Sequence, residues 1–421
     1  MIAVKTWIKK LLGPQWAKLA AQALSYIRFW EIAGNIENCL YVSRSEKDAQ
    51  NLVEESIFQS TAKRRLDSGR LDIAVIVPQP AEGSGGNRNI YRIIKNLKGL
   101  GHKLTVYYTQ TTLHPSLIKK RVHRWFYDLE DISFVKYSGT LGHHDAGLAT
   151  WWETAYDLLK NRDKIGRCFY LVQDFEPMFM PVSSRYLLAE ATYTLGLHPI
   201  CSGRWCAEIL RSRYGIEADY FNFPVDRNIY NIRSPRIKKN KNILFFAKPE
   251  IERRCFELGV EALQVFHQLK PEVEIILYGS PGLRASAAPF SFTNMGVLPS
   301  LDSLSQLYRN ADFGLVFSPT NPSLVPFEML ACGCPVGDLD FDRAIEKYGS
   351  DAGNVFLLPI TPQALGRELA RIFDNPAEMK QRSDAGRRYV EAHFPSDAEM
   401  IRQIERFIIQ KINSIEEGQH A

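Results

Sequence analysis

Several features are missing from this 421-residue sequence, and each absence narrows the reading. No run of about 18 or more apolar residues is free of charge, so no transmembrane helix is expected. Cysteine is scarce and odd in number: Cys39, Cys168, Cys201, Cys206, Cys255, Cys332 and Cys334. That favours reduced thiols and a cytoplasmic protein over a disulfide framework. Cys332-x-Cys334 has no second pair at zinc-like spacing and reads as packing. Strong charge is lacking too. A net charge of +5 suits an anionic small ligand or a membrane surface as well as a nucleic acid. With no reader motif and no basic stripe, nucleic acid is not expected as a partner. There is no repeat at a fixed period, no complete G-x-G-x-x-G and no P-loop. Acidic residues are absent from positions 1–30.

What is present is mostly alternation. Residues 1–68 read as a helical, charged extension. Lys5, Lys9, Lys10, Lys18 and Arg28 interleave there with Trp7, Leu11, Leu12, Trp16 and Ile27. A basic amphipathic segment of this kind suits peripheral contact with an anionic membrane surface, and equally a helix packed on the protein's own body. From "LDIAVIVPQP" (71–80) onward, short apolar strands alternate with helical stretches. The strand-like runs include 103–109, 132–138, 147–152, 168–174 and 198–203. Such alternation predicts parallel sheets covered on both faces. The stretch 223–242, rich in Pro, Asn and charge, reads as a linker. A second series follows, with strands at 242–248, 273–280, 292–298, 313–319, 334–340 and 354–360. The expected domains are a 1–68 extension, an α/β domain over 69–225, another over 235–394, and a returning C-terminal helix over 395–421. Two doubly wound domains enclose a cleft, and ligands bind outside the carboxyl ends of such strands.

The residues just after each strand are therefore the candidates. "EGSGGNRN" (82–89) places Gly85, Gly86 and Asn87 where backbone can approach a ligand at the start of a helix. Asp174 and Glu176 follow the strand "CFYLVQ" and suit a general base or hydroxyl binding, or else the capping of a helix. His144 lies in a loop before a strand and is another candidate base, or a surface histidine. Trp151 and Trp152 at a strand end read as a sugar-stacking wall or as core. In the second half, Lys248, Arg253 and Arg254 form a cationic turn able to clamp a diphosphate. Tyr278 and Gly279 end the next strand, offering a stacking ring and close backbone access. "SLVPFEMLACGCPV" (323–336) reads as a short helix capped by Ser323, with Leu324 beside the cap and Glu328 on an otherwise apolar helix. A carboxylate in that setting needs a partner. A ribose diol is one.

The last string resembles the S-x-x-P/E-x-E-x-[ML]-A-x-G-x-P-V signature of the retaining glycosyltransferases with an E-x7-E motif. "FFAKPEIERRCFELGVEAL" is similar to that family's G-R-…-K-G segment, and "FPVDRNIYN" to its interdomain junction. The strings R/K-P-x-x-x-R-x-x-F-E-L-G and V-Q-D-[FY]-E-P look most like the WsaF-type rhamnosyltransferases of bacterial surface-glycan synthesis. The resemblance covers about residues 70–400. It implies a GT-B fold and transfer of a sugar, with dTDP-L-rhamnose as donor, onto a hydroxyl of a cell-surface or lipid-linked glycan. No metal is implied, because cations hold the leaving diphosphate. Lys248, Arg253, Arg254 and Ser323 would serve the diphosphate and Glu328 the ribose. The protein would be cytoplasmic or peripheral at the inner face of the membrane. One departure stands out: Thr320 occupies the place of the first motif glutamate. Retention is therefore only one route. Inversion with Asp174, Glu176 or a histidine as base is the other. A nucleotide-sugar 2-epimerase and a non-catalytic glycan-binding subunit would share the same scaffold.

Overall fold

The computed structural model describes residues 69–233, 241–349 and 353–417. The proposed 1–68 extension and its membrane contact lie outside the described residues. Thirteen strands among the described residues form two all-parallel sheets. The first contains β1 (Asp72–Val77), β2 (Lys103–Tyr108), β3 (Ser133–Lys136), β4 (His144–Ala149), β5 (Ile165–Val172), β6 (His198–Ser202) and β7 (Asp219–Phe221). The second contains β8 (Asn242–Phe246), β9 (Glu274–Tyr278), β10 (Thr293–Asn294), β11 (Phe313–Leu315), β12 (Val336–Leu339) and β13 (Phe356–Leu358). Their strand orders are 3-2-1-4-5-6-7 and 10-9-8-11-12-13. Each sheet thus reverses its winding once, between β1 and β4 and between β8 and β11. Ligand crevices form at such points because adjacent loops diverge to opposite faces.

The core follows from residue type. β1 reads DIAVIV and its last five residues are buried, as expected for a strand covered on both faces. Ile73, Val75 and Val77 join one apolar cluster with Ile90, Ile94 and Leu97, while Ala74 and Ile76 join another with Trp152 and Trp205. The second sheet is packed in the same way on two clusters. Small residues allow close approach: a Cβ on Gly259 would stand 2.2 Å from the ring of Phe245, and one on Gly314 2.5 Å from Met329 Sδ. The final helix, Asp397–Glu417, returns to the first domain, where Met400, Ile401, Ile404 and Ile408 enter its core. None of the described helices is long and apolar enough to cross a membrane.

Element boundaries differ from the sequence reading in a few places. β4 begins at His144 and stops before Trp151, while β10 is only two residues long. Behind the cationic turn, Cys255, whose backbone is left-handed (φ 47°), separates the short turn Glu252–Arg254 from the Phe256–Leu269 helix. The short helix read within 323–336 covers Val325–Ala331.

Candidate active site

A cavity of about 1310 Å³ lies between the domains. Its walls include the segments after β1, β2, β4, β5 and β6 on one side and after β8, β11 and β12 on the other. All are carboxyl-end segments, because the two sheets point these edges at each other.

The C-terminal wall is cationic. Lys248, Arg253 and Arg254 all line the cavity. Lys248 Nζ stands 3.2 Å from Glu250 Oε1. Arg254 Nη1 donates to the carbonyl of Phe317 and to Ser318 Oγ, both at 3.2 Å. Arg253 is different. Its guanidinium lies 4.2 Å over the ring of Phe179, across the cleft, and its buried Nη1 has no protein acceptor. Ser323 Oγ is also buried and without a partner. It does not cap a helix: Leu324 occupies that position, and Pro326 follows in the first turn. Leu324 and Glu328 line the same wall. Burial pushes the Glu328 carboxyl up to about 7, opposed by a hydrogen bond with Tyr230 and by the charges of Arg88 and Arg92.

The N-terminal wall is built largely from satisfied groups, with Arg185 Nε, buried and without a hydrogen-bond partner, as an exception. Ser84 Oγ caps the Gly85–Gly99 helix by accepting from Asn87 N at 3.2 Å. Asn87 Oδ1 in turn accepts from Ala81 N at 2.8 Å, which folds the glycine loop back on itself. Gly85 and Gly86 face the cavity, and the Gln173 amide lies 3.7 Å from where a Gly86 Cβ would stand. Asp174 is buried. Its Oδ1 accepts from Phe175 N (2.8 Å) and Asn321 N (2.9 Å), and its Oδ2 accepts from Thr320 Oγ1 (2.9 Å). Burial pushes Asp174 upward, opposed by the charge of Arg253 and these donors. Glu176 Oε2 accepts from Trp152 N and Tyr170 OH, both at 2.7 Å. Burial pushes its carboxyl up to about 8. The Trp151 ring stacks on Phe179 with centroids 5.9 Å apart, so Trp151, Phe179 and Arg253 form a continuous layer across the cleft.

Residues 241–370 match the WsaF C-terminal domain and residues 129–201 the WsaF N-terminal domain. These stretches are similar to WsaF domains, and the fold is GT-B. The chain is 35% identical over 235 residues to the O-antigen biosynthesis protein RfbC of Myxococcus xanthus. That match spans 55% of this chain but only 18% of the relative. Sucrose-phosphate synthase from Thermosynechococcus elongatus superposes with a TM-score of 0.59 at 15% identity, over 82% of this chain and 100% of that one. HepE from Anabaena, in complex with UDP and glucose, gives 0.60 at 13%, over 81% and 100%. A Rickettsia africae glycosyltransferase gives 0.57 at 14%, over 82% and 98%. At these identities the likeness carries the fold.

Against the WsaF-type site expected from sequence, several residues move. His144 opens β4 at the opposite edge of the sheet, buried between Asp72 Oδ1 (2.6 Å) and Tyr107 OH (3.0 Å), so it is no base in the cleft. Trp152 is fully buried in the core, and Trp151 takes the cavity wall instead. Tyr278 is also core, with its hydroxyl 3.4 Å from Tyr308 OH. Gly279 does not line the cavity. Its left-handed backbone (φ 106°) packs behind Phe246, which does. Asp174 and Glu176 reach the cleft, but as acceptors already engaged, and neither is an unencumbered base.

Sequence reading missed Phe179, Asn321, Lys347 and Gln110. Lys347 is buried. Its Nζ donates to the Ser318 carbonyl and lies 5.4 Å over the Trp205 ring of the other domain. Burial pushes its ammonium down, opposed mainly by Asp338. Gln110 lines the cavity with a left-handed backbone (φ 61°) and donates to the Glu153 carboxylate. A strained residue of that kind at a strand end marks a constrained site. Only the position of Gln110 after β2 could have singled it out.

Proposed function

We propose that this chain transfers a sugar from a nucleoside-diphosphate donor to a hydroxyl of a surface-glycan acceptor, with dTDP-L-rhamnose as the donor. One observation carries the reading. Arg253 Nη1 and Ser323 Oγ are buried polar groups without protein partners, and both border a cavity already lined by Lys248 and Arg254. A buried donor left unsatisfied costs free energy, and a diphosphate oxygen satisfies it. Arginine and lysine stabilise the charge that develops on a departing diphosphate, which is the work a metal would otherwise do. Glu328, on the same wall, is suited to accept from ribose hydroxyls. The acceptor side fits a sugar ring, because Trp151 and Phe179 present an aromatic layer. That layer favours transfer over epimerisation, which needs no acceptor. Engagement of Asp174 and Glu176 by protein donors leans against a simple base mechanism and towards retention.

The test is thermal stabilisation by dTDP, UDP, GDP, ADP and their sugars, on wild type and Glu328→Ala. A ligand that binds the folded chain raises its melting point by mass action. We expect dTDP and dTDP-rhamnose to give the largest shift, and Glu328→Ala to lose most of it. A folded wild type that no nucleotide stabilises would overturn the donor site and favour a glycan-binding subunit. Stabilisation by UDP or GDP alone would keep transfer and reject the rhamnose donor.

A further inference from the structure

The segment after β11 is braced on one side and reaches across the cleft on the other. Within its own domain, Ser318 N donates to Asp338 Oδ1 at 2.7 Å, and the Ser318 carbonyl accepts from Lys347. Arg254 holds Phe317 O and Ser318 Oγ. Two residues further on, the contacts change domain. Thr320 Oγ1 and Asn321 N donate to the two oxygens of Asp174, both at 2.9 Å. Asn321 Nδ2 donates to the carbonyls of Gln173 (2.8 Å) and Ser202 (2.7 Å). These carbonyls stand just past β5 and at the end of β6, neighbouring parallel strands. The two coplanar N–H bonds of one carboxamide match them.

We propose that Asn321, assisted by Thr320, is a positioning residue that clasps the acceptor-side domain to the donor-holding segment. The site is complete only while the clasp is closed. This inference rests on the transferase reading above. Two features support it. The clasp joins the two halves of the site directly: Ser323 follows Asn321 by two residues, and Asp174 leads into Glu176 and Phe179, on which Arg253 stacks. Its spacing therefore sets the distance between the Arg253–Ser323 pair and the Trp151–Phe179 wall. Its bonds are also polar, and water can replace each of them on opening. Exchange of that kind has a small net free energy, which suits a contact that must open and close. The groups assigned to the diphosphate, Lys248, Arg253, Arg254 and Ser323, all belong to the C-terminal domain, so nucleotide binding does not need the clasp. Transfer does, because misplacing reacting groups by about 1 Å is enough to cost two orders of magnitude in rate.

The experiment compares Asn321→Ala, Thr320→Val and Thr320→Ser with wild type. Dissociation constants for dTDP and UDP, donor turnover and small-angle X-ray scattering with nucleotide are measured on each. We expect Asn321→Ala to keep nucleoside-diphosphate affinity within about threefold. Its turnover should fall on the order of 10- to 100-fold, carried by kcat more than KM, and its radius of gyration should rise. Thr320→Val should lose turnover in part, and Thr320→Ser, which keeps the hydroxyl, should restore it. Should Asn321→Ala fail to fold, the Val and Ser pair at position 320 decides. Wild-type turnover in Asn321→Ala, equal loss of nucleotide affinity and turnover, or an unchanged scattering curve would each overturn the clasp. If wild type binds no nucleoside diphosphate, the transferase reading fails on its own, and scattering from Asn321→Ala still decides whether the clasp holds the domains.

Discussion

The carboxylates of the cleft's N-terminal wall and the donors of its C-terminal wall are satisfied differently. On the N-terminal wall, Asp174 and Glu176 accept from Thr320, Asn321, Phe175, Trp152 and Tyr170. On the C-terminal wall, Arg253 and Ser323 keep buried polar atoms with no protein partner. A carboxylate surrounded by protein donors holds structure, whereas a donor left unsatisfied in a cavity waits for a ligand. Under the proposed function, the difference separates residues that shape the site from residues that bind in it. Both kinds lie at strand ends, so position alone does not distinguish them.

The largest effect should come from the tryptophan pair on the N-terminal wall. Trp152→Ala opens a hole in a core where the ring is fully buried, and should cost about 3–5 kcal/mol in denaturant unfolding. Trp151→Ala removes one stacked ring from the cavity wall and should cost about 0.5–1.5 kcal/mol while weakening acceptor use. Equal destabilisation would break the assignment of Trp151 to the site. Next is Arg253→Ala. If its free Nη1 meets the departing diphosphate, donor turnover should fall by about 10²- to 10³-fold with the melting point nearly unchanged. Loss of stability without loss of turnover would return Arg253 to a structural role. Glu328→Ala should weaken nucleotide binding by about 1.5–3 kcal/mol, the range for hydrogen bonds to a charged group, as read by calorimetry.

A smaller effect concerns pH. The Glu176 carboxyl sits at about 8 in the folded chain, above its ordinary value of 4.5. Between those values the folded chain holds a proton that the unfolded chain has released. The contribution of Glu176 to stability therefore declines as pH rises through that window, by at most about 1.4 kcal/mol per unit. Glu176→Gln keeps an oxygen to accept from Trp152 N and Tyr170 OH and does not ionise. Its melting point should gain on wild type steadily from pH 5 to pH 8, and a constant gap would show that Glu176 stays ionised. The smallest effect on turnover should be that of His144→Ala, since His144 sits at the opposite edge of its sheet. It should cost stability through Asp72 and Tyr107 and leave donor turnover unchanged.

Much of the fold was legible because it rests on local pattern. Short apolar strands separated by helices require buried parallel sheets, and two such series require two domains. The cationic turn at Lys248, Arg253 and Arg254 was legible for a similar reason, since charges clustered after a strand have few other uses. Less was legible among residues whose role depends on direction. Trp151 and Trp152 are adjacent in sequence, yet one lines the cavity and the other fills the core. A strand end three residues before the expected one decided between them. Tyr278 looked available for stacking, but its side chain points into the sheet's packing.

The sequence by itself determined the fold class, the strand ends that line the cleft and the kinds of charge found there, because these follow from periodicity and composition. Tertiary structure alone decided which of those groups are free. Asp174 is engaged because Thr320 and Asn321, nearly 150 residues away, fold onto it from the other domain. Arg253 keeps Nη1 without an acceptor, with its guanidinium stacked on Phe179 across the cleft. Whether a polar atom is satisfied depends on what faces it across the cleft, and that distance is not written in any one stretch of chain.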